Sequence, residues 1–225
     1  MDRVRGRTDR AAFTLLEMLL VIVIIMILVA ILVAGVMTRS PGKVATENLM
    51  KQLRQSLESY YSVYQAYPPS SHSGMAGSQC LYYFLMGPNG EGWTRSDGVA
   101  PGFTWQAPAI DPKYISDKEL NKKFFWDGYG DNAKALLYFR ADPTKTGKSY
   151  TQVYSSNDNA GLGDYGWNPP ADTWKKVVAA DPESGNSRAK NENSYILWAA
   201  GGDREFGYNE DRIDDEMNVV RPRDQ

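Results

Sequence analysis

Apolar and polar positions fall into three regimes along the chain. From Met18 to Met37 twenty consecutive residues carry no charge, and at about 1.5 Å per residue a helix of that length spans about 30 Å, the thickness of a bilayer's hydrocarbon core. This predicts a transmembrane helix. After Ser40, Pro41 and Gly42 the apolar residues return at Val44, Leu49, Leu53, Leu57, Tyr60 or Tyr61, and Tyr64, the spacing of one stripe on an amphipathic helix. Ser40 and Pro41 can cap and open a new helix or kink a continuous one. Its end is expected at Tyr67-Pro68-Pro69, because proline disfavours helix for the residue before it and lacks a donor. The second half of this helix should pack on a sheet.

Beyond residue 68 the pattern shortens. Residues 68–133 are dense in turn formers, with Asn89-Gly90 and Asp97-Gly98 as turn signals. Within them CLYYFLMG (80–87) reads as a short helix under the head, and Ser116 to Phe125 as a site for another. Strand signals are ALLYFRA (135–141), SYTQVYS (149–155) and SYILWAA (194–200), rich in β-branched and aromatic residues. DPTKTGK is read as the hairpin joining the first two, and Asp172 to Ala179 as one helical turn. The predicted class is α+β: a long N-terminal helix on a small antiparallel sheet with loop-rich insertions.

Composition narrows the function. The chain has 225 residues, 42% apolar, with 14 Tyr and 6 Trp, enough for one packed domain plus an attached segment. A formal net charge of −2 offers no global field for nucleic acid. One cysteine, Cys80, precludes an intramolecular disulfide, and one histidine, His72, excludes sites built on two imidazoles. Cys80 and His72 lie eight apart but in an apolar run and a Ser/Gly loop, a thiol and a base with the look of core and loop residues. Nucleotide, dinucleotide and nucleophile-elbow motifs are missing, so no enzyme is expected.

One acid, Glu17, stands at the edge of the apolar run. Ahead of it lie Arg3, Arg5, Arg7 and Arg10 against Asp2 and Asp9, then Ala11, Ala12, Phe13, Thr14, Leu15 and Leu16. The arginines place the N-terminus in the cytoplasm and everything after Met37 outside. RAAFTLLEMLLVIVIIMILVAILV resembles the signal of type IV pilin-like proteins, in which a basic leader is cut before a Phe that becomes N-methylated. The resemblance implies a leader of residues 1–12, cleavage by prepilin peptidase between Ala12 and Phe13, a transmembrane helix over 13–37, its amphipathic continuation over 38–67, and an extracytoplasmic head over 68–225. Ala12 departs from the family's usual Gly. An acid near hydrocarbon usually marks a partner; Glu17 would meet the new amine of a neighbouring subunit and set the axial register. The alternative is a carboxylate resting in the headgroup layer.

YPP (67–69), WDGYGDNAKALLYFRAD (126–142) and YILWAAGGDREFGYNEDRIDDEMN (195–218) resemble the major pseudopilins of type II secretion systems. That likeness implies an inner-membrane subunit of a pseudopilus that supports protein export, with other pseudopilin subunits, an inner-membrane assembly platform, a cytoplasmic assembly ATPase and membrane lipid as partners. It also implies calcium held by Asp203, with Asp211, Asp214 and Asp215 as further candidates. From Asp203 to Glu216 seven acids stand against two arginines, which suits a hard cation flanked by glycine turns. A solvated acidic loop is the alternative. A type IV pilin, a competence pseudopilin or a membrane-anchored binding domain are the other readings of the whole chain.

Overall fold

The computed structural model describes residues 14–37, 41–87, 110–116, 122–165, 171–200 and 206. It divides into two compact units, residues 1–40 and 41–225. In the first, helix α1 runs Leu15–Met37. Side chains are described as far as Ile31, and from Thr14 to there all are exposed; Leu15, at 85%, is the extreme. Among the described residues no helix is long and apolar enough to cross a membrane.

The second unit is α+β. Helix α2 (Pro41–Tyr64) lays Leu49, Met50, Leu53, Leu57 and Tyr60 on a core it shares with helix α3 (Gly77–Met86) and one face of the sheet. Burying one such leucine contributes about 1.5–3 kcal/mol. Met50, absent from the predicted stripe, belongs to it. Val44, assigned to it, is 37% exposed, because the first turn of α2 is held by polar and small residues instead. Thr46 Oγ1 donates to Gly42 O (2.8 Å) and accepts from Gly128 N (2.8 Å). A Cβ on Gly128 would come within 2.5 Å of Ala45 Cβ, so the Asp127-Gly128 turn sits directly on the helix.

Helix α2 ends at Tyr64, three residues before the predicted stop. Gln65 turns into the left-handed region (φ 53°) and its N–H closes on Tyr61 O at 2.8 Å. Tyr67 and the prolines belong to no helix or strand, and Tyr138 Oη donates to Pro68 O at 2.7 Å. α3 begins at Gly77 rather than at Cys80, where Gln79 Oε1 accepts Ala76 N (2.8 Å) and so satisfies a free amide at the helix start.

The sheet has two antiparallel strands, β1 (Leu137–Arg140) and β2 (Tyr195–Trp198), in the register Leu137↔Trp198 to Arg140↔Tyr195. Tyr138, Tyr195 and Leu197 face α2 and α3. Leu137, Phe139, Ile196 and Trp198 face Trp174, Val177 and Val178 of helix α5 (Ala171–Val178). Both faces are covered, which is why the strands read as continuous apolar runs rather than alternations.

The predicted strand at 149–155 is not one. Tyr150–Val153 forms a single helical turn, α4, and β1 takes as its neighbour a strand more than fifty residues later. DPTKTGK does turn the chain, through a 3-10 segment at Pro143–Lys145 whose start is held by the Asp142 carboxylate. At Ser116–Phe125 the described ends close as an antiparallel bridge, Ile115 opposite Phe125. The segment at 172–179 is longer than the single turn expected. The turn signals at 89–90 and 97–98 lie outside the described residues.

Candidate functional site

Glu17 sits in the first turn of α1, and its geometry is local. Thr14 N donates to Glu17 Oε2 at 2.8 Å and Thr14 Oγ1 to the same oxygen at 3.0 Å. In return Glu17 N approaches Thr14 Oγ1 at 3.3 Å. This is a capping box: the threonine precedes the helix, the glutamate is its third residue, and each satisfies an amide the helix leaves open. The carboxylate also lies at the positive end of the helix dipole. Both donors fall on Oε2. Among the described residues nothing bonds Oε1, so one carboxylate oxygen fixes the helix start and the other is left for a second donor. The T-x-x-E spacing ahead of an apolar run carries this signal in the sequence, and the expectation built on Glu17 alone missed Thr14.

On the C-terminal side of this box, Met18 to Ile31 presents apolar side chains in every direction. A helix apolar all round is one that belongs inside another apolar phase. Residues 7–33 match a family model, the prokaryotic N-terminal methylation motif. The chain carries a type IV pilin-like prepilin signal. Comparison with curated proteins and with solved structures finds no match. The prepilin signal implies processing by prepilin peptidase and assembly with other pilin subunits, and it covers Ala12, Phe13, Thr14 and Glu17 together. Ala12 and Phe13 lie outside the described residues.

Asp203, Asp211, Asp214 and Asp215 also lie outside them. From that stretch only Phe206 is described, half-buried, its ring edge-on to Trp198 at 6.0 Å. Among the described residues no group of acids, histidines or cysteines could hold a metal ion. The thiol of Cys80 is inert by position: it is wholly buried in α3, its Sγ lies 3.7 Å from Met75 O, and burial pushes its pKa up to about 12. The imidazole of His72 packs edge-on to Phe84 at 5.3 Å.

The second unit also holds a cleft of about 790 Å³ that no sequence signal announced. One wall is Arg140 to Pro143 at the exit of β1, another runs Thr151 to Asp158, and Pro69 to Ser71 form the third. Among the lining residues Asp158 is half-buried and accepts a hydrogen bond from Ser70 Oγ. Burial raises its carboxyl above the usual range, and the hydroxyls of Ser70 and Ser155 offset part of that. Beside it Asn159 is fully buried. Its Oδ1 accepts from Ser78 N (2.8 Å) and Tyr138 N (3.5 Å), and its Nδ2 donates to Tyr138 O (2.9 Å). A side-chain amide thus stands where a third strand would pair.

Proposed function

We propose that this chain is a structural, non-enzymatic subunit of a type II secretion-type pseudopilus. Residues 1–12 are the leader, removed by prepilin peptidase between Ala12 and Phe13, and the new amine is methylated. Residues 13–37 cross the inner membrane with the leader side cytoplasmic, 38–67 carry the amphipathic helix α2, which ends at Tyr64, and 68–225 form the extracytoplasmic head. The observation that carries this reading is the methylation motif over 7–33 joined to a helix whose backbone runs 23 residues, Leu15–Met37, about 34 Å at 1.5 Å per residue. Its acid holds one oxygen in a cap and keeps the other available for a neighbour's amine. That pair offsets the desolvation of both charges in lipid and fixes the axial register of the polymer.

Assembly then depends on other pseudopilin subunits, an inner-membrane platform and a cytoplasmic ATPase, since the sequence carries no nucleotide motif of its own. Removing a leader with four arginines and two aspartates takes the formal net charge from −2 to −4, which favours export over DNA handling. Calcium at Asp203, Asp211, Asp214 and Asp215 is part of the proposal, supported by the seven acids and two bases of that loop. Intact-mass measurement on protein from native membranes tests the processing step, and retention of residues 1–12 would refute it. Glu17→Ala should be cleaved and inserted yet fail to polymerise; normal filaments from that variant would end the register argument. A melting temperature unchanged between calcium and EDTA would remove the metal.

A further inference from the structure

The cleft exists because one segment touches the edge of β1 at two points and bows away between them. Ala141 N donates to Ser194 O at 3.0 Å, so the odd-numbered residues of β1 turn their amides toward β2 and the even-numbered ones turn theirs away. Of the latter, Tyr138 is closed by the Asn159 amide and Asp142 N by Val153 O at 2.8 Å. Arg140 lies between them. The chain from Tyr154 to Asp158 lines the opening opposite, and by the same alternation the main-chain N–H and C=O of Arg140, which also lines it, turn away from β2 with no partner among the described residues.

We propose that this cleft binds a short stretch of extended polypeptide, two or three residues long, through the main chain of Arg140. Adjacent N–H and C=O groups are what a peptide unit complements on a strand edge. The two closures are four residues apart, about 13 Å along a strand, which admits about three extended residues and excludes a full added strand. The volume lies in the range of small-ligand sites. Arg140 and Lys145 balance Asp142 and Asp158 around the lining, and Lys145 is already 3.4 Å from Asp142. The site therefore suits an uncharged main chain better than a phosphate or a polyanion.

The test uses the full-length protein in detergent micelles, with the Arg140 amide resonance as readout. N-acetyl-trialanine amide is the probe and maltotriose the comparison. The peptide should move the Arg140 resonance saturably while the sugar leaves it in place. Ser71→Trp, at the exposed rim, should weaken peptide binding at least about tenfold with the melting temperature unchanged, and Gln152→Trp serves the same purpose should the first variant misfold. An Arg140 resonance that ignores the peptide, follows the sugar equally, or responds undiminished in the rim variants would overturn the proposal.

Discussion

Asn159→Ala tests whether a single amide holds the outer edge of β1. The substitution strips partners from Ser78 N–H (2.8 Å) and Tyr138 C=O (2.9 Å), and from the longer contact to Tyr138 N–H at 3.5 Å. The asparagine is wholly buried, so water does not replace it freely. A buried main-chain group left unpaired costs about 1–3 kcal/mol. Two good bonds set the loss at about 4 kcal/mol, with the 3.5 Å contact adding little. For a chain of this size each kcal/mol moves the melting temperature by about 2–4 °C, so a fall of about 8–16 °C is expected by circular dichroism of the full chain in detergent. Exchange at the Ser78 and Tyr138 amides should accelerate beyond the global change. Asn159→Asp should do no better than alanine, since it places a second acceptor against Tyr138 O. A melting temperature within about 2 °C of the parent would show that the edge is held by something else.

Further outcomes follow from the same geometry. Thr14→Val removes half of the capping box at a cost of about 1 kcal/mol, and hydrogen exchange at the first amides of α1 should quicken about fivefold, with Thr14→Ser restoring protection; identical rates in all three proteins would dismiss the cap. Gly77→Ala aims a Cβ at Tyr138 O, a backbone atom that has no room to yield, whereas at Gly161 the nearest atom to an added Cβ is Ala76 Cβ at 3.7 Å. The first should lose about 1–3 kcal/mol in denaturant melts and the second almost nothing, and equal stability would contradict the close packing of α3 on β1. Because burial raises the Asp158 carboxyl, its contribution to stability is fully present below the unfolded carboxylate value and is lost as pH rises through the folded one. Asp158→Asn should accordingly melt higher than the parent near pH 7 and converge with it in acid; a gap that widens on acidification would reverse the sign.

The elements legible in the sequence are those whose cause is local. The apolar run of α1, the stripe of α2, and the aromatic strands at 137–140 and 195–198 each carry their burial in their own residues. SYTQVYS failed because its β-rich composition says nothing about who its neighbour is. The edge beside β1 is occupied by Asn159, and β1 pairs across a long insertion with β2. Asn159 itself was unreadable, one amide in a polar string, since its role comes from the two segments it bridges. Thr14 was readable and overlooked. Gln65 ends α2 ahead of the prolines because a left-handed residue closes the last turn, and glutamine gives no advance sign of that conformation. The Arg140 opening is likewise a property of how two segments diverge.

The amide that closes the edge of β1 is covalently part of its own chain, and that matters wherever many copies are crowded. An exposed strand margin invites the same margin of another molecule, and such pairing grows into insoluble ribbons. A tethered blocker cannot be diluted away or outcompeted, and with Val153 O it leaves, along the outer edge of β1 among the described residues, the interval at Arg140 uncovered. For polypeptides concentrated side by side at a surface, pairing through this margin of β1 is therefore obstructed at Tyr138 by one uncharged side chain.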